Sequence, residues 1–198
     1  MSRPFLLGLT GSIGMGKSTT AQMFAEEGVP IWDADATVHA LYAPGGAAVA
    51  PIAAAFPGVV VDEAVDRARL REALQADKQA LPRLESIVHP LTTASRSAFI
   101  AQHADADLIL LDIPLMYETG ADAACDAVLV VSAPPEVQRA RVLARGQMSE
   151  EQLAMILSRQ LPDAEKRARA DHVIETLTLD QTRAAVRHLI AQIRGGHA

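Results

Sequence analysis

The chain has 198 residues, 49% of them hydrophobic and 21% charged, which suits one compact domain with a full core and excludes a disordered chain. A formal net charge of -6 argues against sequence-independent nucleic-acid binding, which relies on Lys and Arg neutralising phosphate. No apolar run is long enough to span a bilayer, Met1 to Thr10 is too short for a signal peptide, and the single Cys125 can form no intrachain disulfide. The expectation is a cytoplasmic protein with neither nucleic acid nor membrane as partner; Cys125 is expected to be a buried thiol.

Phe5 to Thr10 is a short apolar run ending at glycine and predicts a buried strand. Gly11 to Gly16 is a glycine-rich loop, and Lys17 to Glu27 follows a helical pattern stopped by Gly28. Val29 to Trp32 predicts a second strand ending at Asp33. From Ala36 to about Ile100 the chain is alanine-rich and broken by prolines, with helical patterns over Arg67 to Ala76 and Leu81 to Val88, so a mostly helical insertion is expected at about 36–103. Pro90 places a helix boundary after His89. Leu108 to Leu111 and Ala127 to Val131 predict strands ending at Asp112 and Ser132. Pro135 to Arg145 and Glu150 to Gln160 read as helices, His172 to Ile174 as a last strand, and Thr182 to Ile193 as a closing amphipathic helix. Alternating strands and helices predict a three-layer α/β fold with a parallel sheet, in one domain whose core is 1–35 and 104–198.

Gly11-Ser12-Ile13-Gly14-Met15-Gly16-Lys17-Ser18 matches G-x-x-x-x-G-K-[ST], between a predicted strand and a predicted helix. Such a loop wraps phosphates with its backbone, so Gly14 and Gly16 lack side chains where a Cβ would intrude. The helix that follows adds the positive end of its dipole. Lys17 supplies a point charge for the β- and γ-phosphates, and Ser18 a hydroxyl for Mg²⁺. Gly11, Gly14, Met15, Gly16, Lys17, Ser18 and Thr19 are the expected ATP-phosphate residues. A glycine-rich turn with a chance lysine is the bland alternative, and the flanking elements count against it.

Ligands of open parallel sheets collect at the carboxyl ends of strands. Asp33 is therefore a candidate to take the proton of an attacking hydroxyl, or to hold Mg²⁺ through water. The bland alternative is that Asp33 or Asp35 simply caps the helix that starts near Ala36, with Asp35 the favoured cap. Asp112, after four apolar residues, is a weak Walker B pattern: a metal residue acting through water, or a strand-end cap. From Glu136 to Arg169 seven basic residues face five acidic ones in an otherwise acidic chain. Arg141 and Arg145, four apart, share a helix face and suit a γ-phosphate, although a solvated helix accounts for most of this segment. His89 reads as structural on local grounds, and no Cys/His metal cluster exists in the sequence.

These residues resemble the dephospho-coenzyme A kinase family over nearly the whole chain. The likeness rests on Leu9 to Ser18, Asp33-Ala34-Asp35, Pro44-Gly45, His89-Pro90-Leu91, Pro114-Leu115 with Glu118, Arg141 and Arg145, Gln160, and Ala170-Asp171 with Val173-Ile174. The phosphate loop alone is generic; the combination is specific. The resemblance implies a P-loop fold like that of nucleoside monophosphate kinases, a helical region for the coenzyme A precursor, and a lid over ATP at about 136–169. It implies Asp33 as general base toward the ribose 3′-hydroxyl of dephospho-coenzyme A, with Lys17, Arg141 and Arg145 stabilising the transferring phosphoryl group. His89 and Glu118 are the further substrate residues it implies, and ATP and Mg²⁺ the cofactors. The chain departs from the family pattern at His39, where arginine is frequent, at Gly146, where aspartate is frequent, and at Thr176, where asparagine is common. The alternatives are a kinase of another small hydroxyl acceptor, such as a nucleotide or a sugar-like alcohol, and a nucleotide-hydrolysing switch. No guanine-reading Asn-Lys-x-Asp motif is present. The sequence leaves the oligomeric state open.

Overall fold

The computed structural model describes residues 3–146 and 148–196, so residue 147, inside the expected lid, lies outside the described residues. In chain order the elements are β1 (Phe5–Thr10), α1 (Lys17–Glu26), β2 (Ile31–Asp33), α2 (Ala34–Tyr42), α3 (Val49–Ala55), β3 (Val60–Val61), β4 (Ala64–Val65), α4 (Arg67–Ala76), α5 (Ala80–Gln102), β5 (Leu108–Asp112), β6 (Ala127–Ser132), α6 (Pro135–Ala144), α7 (Glu150–Leu157), α8 (Asp163–Arg169), β7 (His172–Glu175) and α9 (Leu179–Gly196). They form two compact units, Met1–Trp32 with His103–Ala198, and Asp33–Gln102.

The first unit is built on a five-stranded sheet in the order β2-β5-β1-β6-β7. β1 runs parallel to β5 and β6, and β6 parallel to β7. The strands are apolar almost throughout because both faces of such a sheet are covered. Leu7, Leu9, Leu108, Leu110, Leu129 and Val131 share one core with Phe24 of α1 and Val186, Leu189, Ile190 and Ile193 of α9. Each such leucine contributes roughly 2 kcal/mol relative to exposure. On alternate positions Gly8 meets Met116 and Cys125; a Cβ at Gly8 would stand 2.7 Å from the Met116 Cε and 2.8 Å from the Cys125 sulfur. Cys125 is half-buried rather than fully buried, with its sulfur against Gly8. Pairing of Leu9 with Asp112 and of Thr10 with Val130 sets the phosphate loop between the carboxyl ends of β5 and β6.

The second unit packs α3, α4 and α5 around Ile52, Phe56, Leu70, Leu84 and Val88. Three local expectations change here. Helix α2 starts at Ala34, so of the two candidate caps it is Asp33 that serves, accepting from Ala36 N at 2.9 Å, while Asp35, the favoured one, lies in the first turn. α5 runs through Pro90 for 23 residues with no boundary after His89. Proline costs about 3 kcal/mol inside a helix, and Leu84 and Val88, buried on the core side, hold the helix together while Pro90 itself is exposed. The expected helical insertion also contains a hairpin, β3 with β4, whose turn residues Asp62 and Glu63 sit at φ 48° and 62°. Among the described residues no helix is long and apolar enough to cross a membrane.

Candidate active site

Gly11 to Gly16 joins β1 to α1, as the motif requires. Its glycines answer to packing behind the loop as much as to a ligand in front. Gly14 has φ 78°, and a Cβ there would lie 2.6 Å from Val142 Cγ2; Gly16 has φ 90° and abuts Thr176. Gly16 is also the N-cap of α1 and supplies no side-chain acceptor to the first-turn N–H groups. A helix start of this kind offers those donors and its dipole to an anion. Ser18 and Thr19 are exposed in that first turn.

The Lys17 ammonium lies 2.7 Å from Asp112 Oδ1, with 17% and 5% of the two side chains exposed. The sequence treated these residues separately, one for phosphate and one for metal; the structure pairs them at the junction of β1, β5 and α1. Ser18 and Asp112 together offer a hydroxyl and a carboxylate oxygen, hard donors that suit Mg²⁺. Among the described residues no group of three or more His, Cys, Asp or Glu side chains could hold a metal.

Arg141 donates from Nη1 to Thr176 Oγ1 at 2.8 Å and from Nη2 to the Thr176 carbonyl. The Thr176 hydroxyl in turn donates to the Met15 carbonyl at 2.8 Å. Thr176 thus couples α6, the end of β7 and the phosphate loop, a role that its reading as a departure did not reveal. Arg141, Arg145 and Thr176 border a cleft of about 170 Å³ with Gly14, Gly16 and Thr19. Gly146 has φ 66° with nothing near its absent Cβ, so it serves as the left-handed residue that ends α6. Two glutamines also hold the loop: Gln138 Nε2 donates to the Ile13 carbonyl at 2.7 Å, and Ile13 N donates to Gln160 Oε1 at 3.3 Å. Sequence reasoning passed over Gln138; its one signal is a polar residue on the otherwise apolar inner face of α6.

Glu118 Oε1 accepts from Leu161 N at 2.8 Å and lies 2.9 Å from the Nζ of Lys166, whose side chain has no exposed surface. Partial burial pushes the Glu118 carboxyl up, but Lys166 and the Leu161 N–H outweigh it and hold the carboxyl below its ordinary range. In the second unit His89 is exposed on α5, and His39 Nδ1 lies 3.2 Å from Arg67 Nη2. Asp35, Tyr42, Arg67 and Arg71 line a cavity of about 570 Å³ whose remaining wall is aliphatic.

A parallel sheet with a glycine loop, a lysine and a helix start at its carboxyl edge defines the P-loop kinase class of fold. The chain matches the family model for dephospho-CoA kinase (CoaE) over residues 5–180. A dephospho-CoA kinase of Cereibacter sphaeroides is 65% identical over 192 residues, 97% of each chain. A crystal structure of a Thermus thermophilus protein superposes with a TM-score of 0.86 at 32% identity, covering 96% of this chain and 98% of the other. The dephospho-CoA kinase of Campylobacter jejuni gives a TM-score of 0.71 at 26% identity, covering 98% of both chains. The chain belongs to the dephospho-CoA kinase family.

Proposed function

We propose that this protein transfers the γ-phosphoryl group of ATP to the ribose 3′-hydroxyl of dephospho-coenzyme A, giving coenzyme A, the last step of coenzyme A biosynthesis. The observation that carries the reading is the Lys17–Asp112 pair beside the bare N-terminus of α1, in a chain that belongs to this family. Backbone N–H groups of Gly14 and of Gly16 to Thr19 bind the donor phosphates. Lys17 turns from Asp112 to the β- and γ-phosphates, whose greater charge competes for the ammonium. Arg141 and Arg145 add positive charge on the cleft side of the loop. Ser18, and Asp112 through water, would hold Mg²⁺ with ATP, where the ion would supply charge neutralisation of the phosphates. Asp33 orients the acceptor hydroxyl and takes its proton as the oxygen attacks phosphorus in line, so that the γ-phosphoryl group leaves ADP for the acceptor.

In the second unit Arg67 and Arg71 suit the diphosphate of dephospho-coenzyme A, and the aliphatic wall beside them its pantetheine arm. His89, exposed on α5, is assigned to the same acceptor. Glu118 serves the site through Leu161 and Lys166, which it holds in place. A cytoplasmic location is part of the proposal, supported by the use of ATP and by a single cysteine. The test is a panel of acceptors with γ-labelled ATP: dephospho-coenzyme A, nucleoside monophosphates and a sugar alcohol. Label should pass to dephospho-coenzyme A at least 10²-fold faster than to the others, within what a site built to hydrogen-bond its substrate achieves. Equal or faster labelling of another acceptor would contradict the assignment.

A further inference from the structure

In the phosphate loop the backbone N–H and C=O of Ile13 are both taken by side chains, and both are glutamines. Gln138 comes from α6 and is 7% exposed. Gln160 follows α7, and its neighbour Leu161 is fixed by Glu118, itself paired with the buried Lys166. The chemistry settles how each amide is turned. A carbonyl needs a donor, so Gln138 presents its NH₂; an N–H needs an acceptor, so Gln160 presents its oxygen.

We propose that Gln138 is a positioning residue for nucleotide binding, holding the Ile13–Gly14 peptide so that the Gly14 N–H faces the phosphates. This goes beyond the activity itself and rests on the phosphate-loop reading. In a trans peptide the C=O and the N–H point opposite ways. Gln138 draws the Ile13 C=O toward α6. The Gly14 N–H is therefore turned away from Gln138. A peptide next to a glycine at φ 78° reverses at low cost, so its direction needs an outside hold. Gln138 also packs on that glycine: a Cβ at Gly14 would come within 3.1 Å of the Gln138 carbonyl oxygen. Gln160 fixes the preceding N–H, so the segments before and after α7 grip the same residue.

The test is ADP affinity by calorimetry, from about pH 7.5 to about pH 5, for the parent protein, Gln138→Leu, Gln138→Glu and, as control, Lys17→Ala. Gln138→Leu should weaken ADP about tenfold at pH 7.5, the scale of one buried hydrogen bond. It should raise the KM for ATP more than it lowers kcat. Gln138→Glu discriminates orientation from mere packing. As a carboxylate it cannot donate and repels the Ile13 carbonyl; as a neutral acid it can donate. Its affinity relative to the parent should therefore rise as pH falls, and taking the ratio cancels the titration of ADP itself. The glutamate variant keeps the size of the side chain and decides the matter if the leucine variant misfolds. Affinities within twofold of the parent, or a ratio flat with pH, would overturn the proposal. If Lys17→Ala also binds as the parent does, it is the phosphate-loop reading that fails and not the clamp alone.

Discussion

Asp33 caps α2 through Oδ1 and, in the proposed reaction, also serves as the base. The two roles can be separated because asparagine caps a helix as well as aspartate does but has no basicity. Asp33→Asn should therefore leave thermal stability within about 1 kcal/mol of the parent while lowering kcat on the order of 10²-fold or more. ATP affinity should change little, since in the proposed reaction Lys17 and the loop hold the phosphates. Steady-state kinetics and calorimetry on the one variant check this; a kcat within a few-fold of the parent would remove Asp33 from the chemistry. Loss of magnesium-dependent ATP binding would move it to the metal instead. At this scale the sequence was legible where a motif fixes spacing, as from Gly11 to Ser18. It was silent where a role depends on a fold partner: Thr176 is tied to Met15 across 161 positions and Gln138 to Ile13 across 125.

Among the elements, β1, β5 and β6 could be read directly, because apolar runs ended by Gly or Asp have few other solutions in a parallel sheet. The second unit was harder. A local rule puts a boundary at Pro90, and a buried stripe through Leu84 and Val88 overrides it. The β3–β4 hairpin has only two residues per strand, too short for an alternation to register. Between β5 and α8, the Glu118–Lys166 pair ties the segment after α7 to the sheet side of the unit. Removing the carboxylate leaves a fully buried ammonium without it, so Glu118→Gln should cost about 3 kcal/mol near neutral pH. Because the Glu118 carboxyl is held below its ordinary range, this stability is complete above that range and is lost as pH falls through the lowered value. Denaturant unfolding of parent and variant from about pH 7 to about pH 3 should show the gap between them closing at the acid end. A gap constant across that range would contradict the pairing.

Over the whole molecule, an acidic chain must gather positive charge to take a polyphosphate donor. In the proposed reaction Lys17, Arg141 and Arg145 do so around one loop, while the net charge stays at -6. The phosphate loop on its own left the acceptor open, and only its combination with Asp33-Ala34-Asp35, His89-Pro90-Leu91 and Pro114-Leu115 pointed to the family that the comparison over residues 5–180 shows. The claim that most needs testing is that ATP is spent only on the acceptor hydroxyl. Coupled ADP release with limiting dephospho-coenzyme A measures it directly. The expected result is one ADP per dephospho-coenzyme A added, a product carrying the new phosphate on the ribose 3′-oxygen, and at most about a hundredth of that rate without acceptor, the scale of a positioning effect. ADP release at an undiminished rate without dephospho-coenzyme A would contradict it and make the protein a nucleotide hydrolase.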